Sequence, residues 1–163
     1  MNANAFRYLY DYHFSENHKI WNDYITPLSF EKFIQDIEYS RGSVRDQIIY
    51  LMSVDEVWFS QLRGVIPSEP ISSALSEDRK IIRSHWDNVE RNMRDYLAEL
   101  RDEMLFDKPL KEPEEDKNLI AWQVLLHVVN HGTDHRAQLL RLLHDLGAKT
   151  TSQDFIFYVY DHA

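Results

Sequence analysis

Trp122-Gln-Val-Leu-Leu-His127-Val-Val-Asn-His131-Gly-Thr-Asp-His135-Arg-Ala-Gln-Leu-Leu-Arg-Leu-Leu-His144-Asp-Leu-Gly147 reads as one long helix. Val124, Val128, Leu139, Leu142 and Leu146 recur at helical spacing, and Gly147 supplies a C-terminal stop. His131 and His135 fall in that stripe. At roughly 100° per residue they lie within about 20° of the line through Val124 and Leu142, so their imidazoles are expected to point inward. Two inward histidines four residues apart form a metal-chelating geometry. The competing reading is a pair of hydrogen-bonded core histidines, and spacing alone does not separate the two. His127 sits about 80° round from His135, on the flank, while His144 points away and is expected to be solvated.

Outward from this helix, the chain has 163 residues, enough for one domain with a real core. Its 44% apolar and 28% charged residues describe a compact soluble protein rather than a disordered one. Cysteine is absent, which excludes disulfides, zinc ribbons and a cysteine nucleophile and leaves His, carboxylate or water as metal ligands. No apolar run approaches the roughly 20 residues that span a bilayer, so no membrane role is expected. The lack of a hydrophobic leader favours a cytoplasmic location. A net charge of −9 without a Lys/Arg face disfavours nucleic acid. The Walker loop, the dinucleotide glycine fingerprint and HExxH are all missing.

The first helix is expected from Ala5 to Ile25, with Phe6, Tyr10, His13, Ile20, Trp21 and Tyr24 on one broad face and Pro27 ending it. Asn17 lies in the middle of that face, as an interhelical clasp or as part of a polar site. A short helix capped by Ser29 follows, and Arg41-Gly42-Ser43 closes the connection. Ser43 caps the second helix, which runs to Arg63 and stops at Gly64. Its stripe is Val44, Ile48, Leu51, Trp58 and Leu62, and Asp55 sits inside it. A carboxylate there needs a partner such as a histidine N–H, unless it lies at a solvated rim. Tyr50, Val54 and Val57 form a second face. Residues 65–74 suit a crossover, and the third helix is expected from Ser76 to Phe106 with an uncharged buried side. The aromatic tail Asp154–Asp161 is expected to dock on the rest of the protein or on a partner chain. Four long amphipathic segments indicate an all-α four-helix bundle over residues 1–163.

The chain resembles the DinB/YfiT-like superfamily of metal-dependent proteins over nearly its whole length. Asn130-His131-Gly-Thr-Asp-His135-Arg136-Ala-Gln138 with Leu146-Gly147 is similar to that family's fourth-helix signature. Tyr10-Asp-Tyr-His-Phe-Ser-Glu-Asn17 resembles its first-helix motif, and Asp55-Glu-Val-Trp58-Phe-Ser-Gln-Leu62-Arg-Gly64 its second-helix motif. The resemblance implies an up-down-down-up bundle, usually dimeric, with a divalent metal such as zinc or nickel held by three histidines. Two of these carry over to His131 and His135. The third would stand five residues before Asp55, where this chain has Tyr50. A phenol, with an ordinary pKa near 10, is a poor ligand for either metal at neutral pH.

Three outcomes follow for the metal: binding through a Tyr50 phenolate, a carboxylate or water in the vacant position, or loss of the site. Related proteins include thiol-dependent transferases and isomerases, so the resemblance implies S-transfer between a small-molecule thiol and an electrophile, with hydrolysis as the neighbouring reaction. Tyr50 or Arg136 is then expected to contact substrate, with Asn17, Asp55 and His127 around the site; no catalytic residue is assigned. The alternative is a non-catalytic, stress-associated binding or assembly protein, again as a homodimer, whose metal centre has decayed.

Overall fold

The computed structural model of the protein describes residues 1–71 and 78–163. All regular structure among these residues is helical. Helix α1 (Ala3–Lys19) starts where the Asn2 side chain accepts the Ala5 N–H at 2.9 Å. It begins two residues before the expected start and ends in a π-helical turn, Ile20–Ile25, closed by Thr26 N–H to Trp21 C=O at 2.9 Å. The wider turn places Ile20, Trp21, Tyr24 and Ile25 together in the core.

Ser29 caps α2 (Phe30–Ile34), and Lys32 Nζ donates to the Leu146 carbonyl at 2.7 Å, which ties this short helix to the end of α5 (Ala121–Asp145). Ser43 caps α3 (Val44–Arg63) by accepting the Asp46 N–H at 3.1 Å. Gly64 ends α3 at φ +66°, where a side chain would be strained. Helix α4 spans Arg79–Glu99 behind the Asp78 cap; the expected start at Ser76 lies outside the described residues.

The far end of that helix needs a correction. Leu100 is extended and Glu103–Phe106 forms a separate 3-10 turn, so the helix does not reach Phe106. The cause is a distant one: Arg7 Nε donates to the Leu97 carbonyl at 2.8 Å and Arg7 Nη2 to the Leu100 carbonyl, satisfying from α1 the groups that a further helical turn would have used.

Helices α1, α3, α4 and α5 close into a ring, α3 packing on α4 and α5 and α1 on the same two. Phe6, Phe14, Ile48, Leu51, Phe59, Ile82, Trp86, Val128 and Leu139 fill its interior. Each large apolar side chain buried this way contributes about 1.5–3 kcal/mol. The buried side of α4 carries no charge, as expected of scaffold. The aromatic tail forms α6 (Phe155–Asp161), which rests Phe155 and Tyr158 edge-on against Tyr8 and Tyr12 of α1, at 5.2–6.0 Å between ring centroids. Its outer side, Ile156, Phe157 and Tyr160, faces solvent. Among the described residues no helix is long and apolar enough to cross a membrane.

Candidate functional site

Val124, Val128, Leu139 and Leu142 of the expected α5 stripe are buried, but the buried line leaves out the two histidines. It runs through Val124, Val128, Gly132, Arg136, Leu139 and Leu143, and the two histidines stand half-buried beside it. His131 and His135 nevertheless converge, with ring centroids 4.3 Å apart. From α3, Tyr50 brings its ring to 4.9 Å from His135 and 5.6 Å from His131. His127, exposed on the flank, leans on Trp58 at 5.1 Å and on His131 at 5.8 Å. The loop before α3 adds Arg41, whose guanidinium carbon stands 3.6 Å above the centre of the Tyr50 ring.

Burial, reinforced by the neighbouring His135, pulls the His131 pKa down to about 4. Burial lowers His135 as well, opposed by Asp134 and assisted by Arg41. Both imidazoles are therefore neutral at pH 7, the form that ligates metal. Their Nδ1 atoms are buried without a hydrogen-bond partner, as is Asp55 Oδ1. Those orphaned nitrogens suit a pair of ligands. The third donor does not: a phenol is a poorer ligand than an imidazole for zinc or nickel, and among the described residues no three His, Asp or Glu side chains come together in a way that could hold a metal ion. The donor set fits a two-imidazole anchor and not a closed three-ligand centre.

Behind the rings runs a polar chain that is buried except at Gln153. Arg136, 0% exposed, donates from Nη1 to His13 Nδ1 and to Asn17 Oδ1, both at 3.1 Å, and from Nε to Gln153 Oε1 at 2.9 Å. Because arginine only donates, His13 Nδ1 is the acceptor, and its Nε2–H must donate to Asp55 Oδ2 at 3.1 Å. Burial lowers the His13 pKa against the pull of Asp55. A neutral imidazole thus bridges the guanidinium and the carboxylate, and three helices are joined through it. Gly132 makes room: a Cβ there would collide with His13 Cε1 and stand 2.8 Å from His13 Nδ1 and 3.1 Å from Arg136 Nη1.

Asp55 has the histidine partner its stripe position demanded, and Asn17 clasps α1 to α5. Arg136 lies in the core and has no surface to offer a ligand. His13, Gly132, Gln153 and Arg41 are the participants that sequence reasoning passed over. For His13 a signal existed, since it shares a helix face with Asn17 at i+4. For Gln153 and Arg41, both in loops, none did.

The DinB family model matches residues 1–162 of the chain. Protein DinB of Bacillus subtilis (strain 168) is 27% identical over 159 residues, a match covering 93% of this chain and 92% of that protein.

Proposed function

The chain belongs to the DinB family, and from that premise we propose that His131 and His135 anchor a divalent metal, zinc or nickel, for a reaction on a small molecule: S-transfer between a thiol and an electrophile, or hydrolysis. The observation that carries this reading is the convergence of two half-buried neutral imidazoles, 4.3 Å between centroids, each with a ring nitrogen lacking a partner. Such a metal, when bound, makes a coordinated thiol or water acidic enough to act as a nucleophile. The residues of the chain hold and orient. His131 and His135 supply lone pairs, Tyr50 walls the pair on the α3 side, and the Asp55–His13–Arg136 chain fixes α1, α3 and α5 so that the two imidazoles keep their spacing. We read the helical ring as an up-down-down-up four-helix bundle, one domain over residues 1–163 working as a homodimer; the pairing of α1 and α3 with both α4 and α5 supports the bundle.

Elemental analysis of untagged protein, after exposure to zinc, nickel and manganese, tests the anchor. Near-stoichiometric metal in wild type, lost in both His131→Ala and His135→Ala, is expected. Equal metal in wild type and variants overturns the reading.

A second reading, a metal-free binding or assembly protein, is favoured by Arg41. Its positive charge sits over Tyr50 and is felt at His135, where it opposes a second cation. Tyr50→His separates the two: tight metal binding gained by this variant and lacking in wild type marks the natural centre as decayed.

A further inference from the structure

We infer that Arg41 is the anion-recognising residue of the ring cluster, and that the ligand received beside Tyr50, His131 and His135 is a small molecule bearing a carboxylate. The inference rests on reading those rings as a ligand site, but it does not depend on a bound metal.

Four observations lead to it. First, the Arg41 guanidinium carbon stands over the Tyr50 ring, 3.6 Å from its centre. Stacking occupies the face of the guanidinium and leaves its in-plane N–H donors free, and those donors form the fork that matches a carboxylate. Second, Arg41 has no hydrogen-bond or carboxylate partner among the described residues. Several other arginines do pair: Arg94 with Glu90 and Asp11, Arg101 with Glu103, Arg141 with Asp145 and the half-buried Arg83 with Asp87, while the exposed Arg63 at the end of α3 has no such partner among the described residues either. In a chain of net charge −9, acids are abundant, and Asp36 Oδ1 lies beside the neighbouring Gly42, yet none of them pairs with Arg41 among the described residues. Asp46 takes Arg45 and Ser43, and Asp134 takes the Gln138 amide at 3.0 Å.

Third, the loop that carries Arg41 is held in place. Ser40, at φ +52°, hydrogen-bonds through Oγ to Gln138 of α5, one turn beyond His135 and Asp134. The arm is therefore positioned before a ligand arrives, which reduces the ordering cost of binding. Fourth, the geometry is continuous from cation to imidazoles: the Tyr50 ring that carries Arg41 is itself 4.9 Å from His135. A carboxylate forked onto Arg41 leaves the remainder of a small ligand lying over the histidines.

The test uses metal-free wild type and R41Q, titrated with succinate and followed by NMR of the histidine and tyrosine ring protons. The expected result is saturable movement of His131, His135 and Tyr50 resonances in wild type, with the dissociation constant at least tenfold weaker in R41Q and only partly restored in R41K, whose ammonium cannot make the planar fork. Arg41 is exposed, so R41Q keeps the wild-type thermal unfolding curve. Equal binding by R41Q, or no saturable response in wild type, overturns the inference; inorganic phosphate binding more tightly than succinate overturns the carboxylate assignment. Failure of the metal reading is seen separately, because His131→Ala and His135→Ala abolish metal uptake under that reading yet leave succinate held by Arg41.

Discussion

Substituting Gly132 by alanine adds one methyl group to the middle of α5 and places it inside the ring of His13. The ring has nowhere to go. Its Nε2–H is bound to Asp55 and its Nδ1 to Arg136, both at 3.1 Å, and Tyr10 and Phe14 pack around it with centroids 5.7 Å away. Forcing a methyl into such a space costs about 1–3 kcal/mol, and stretching one hydrogen bond to a charged group costs about 1.5–3 kcal/mol more. Against this, alanine is better than glycine in a helix interior by about 1 kcal/mol. The net expectation is a loss of about 1.5–5 kcal/mol, a large part of the roughly 5–15 kcal/mol that holds a typical domain together. The same substitution on a His13→Ala background meets no ring, so only the 3.1 Å approach to Arg136 Nη1 stands against the helix-propensity gain of about 1 kcal/mol, and most of the loss disappears. Guanidinium denaturation followed by fluorescence of the four tryptophans measures all four proteins of the cycle. Gly132→Ala costing the same with and without His13 would refute the collision, and with it the account of why glycine stands between the two histidines.

Two further outcomes follow from the site. His131 should titrate near pH 4 by NMR, and removing its neighbour in His135→Ala should raise that midpoint; because the folded pKa lies below the ordinary 6.5, the native state resists protonation, so the stability due to His131 is fully present above about pH 6.5 and drains away as pH falls towards 4, a slope that His131→Gln removes in pH-dependent denaturation. Gln153→Ala deletes the acceptor for Arg136 Nε and the donor to the Thr133 carbonyl at 3.0 Å, and should cost about 1.5–3 kcal/mol in chemical denaturation; an unchanged midpoint would show that the segment beyond α5 does not support the buried arginine.

Helices α2 and α3 were legible because they carry local signals: Ser29 and Ser43 cap with their hydroxyls, and Gly64 takes the left-handed conformation. What local signals could not reveal depends on residues far away in the chain. The end of α4 is set by Arg7, 90 residues before Leu97. The π-helical turn leaves Ile20, Trp21, Tyr24 and Ile25 at a spacing an ordinary helix would also bury. On α5, a pattern that counts apolar residues draws its line through the histidines, since arginine is read as a surface residue. The true line passes through Gly132 and Arg136 because His13, Asn17 and Gln153 await the guanidinium in the core. The approach of Tyr50 to both histidines agrees with its position five residues before Asp55, but the stacked Arg41 comes from a loop with no periodicity to read.

Greasy helix faces are forgiving, and one can slide or turn against another while leucines trade places with little penalty. The chain from Asp55 through His13 to Arg136 has a direction, with one acid end, one basic end and a single proton arrangement between them. A slip of α5 by one turn would carry Arg136 about 5.4 Å along the axis, far beyond hydrogen-bond reach, and strand a positive charge in oil. Ion pairs of this kind add little to the depth of the native well. Here the effect is on its width: the chain excludes neighbouring registers, so the two half-buried histidines stand opposite Tyr50 in one alignment rather than several.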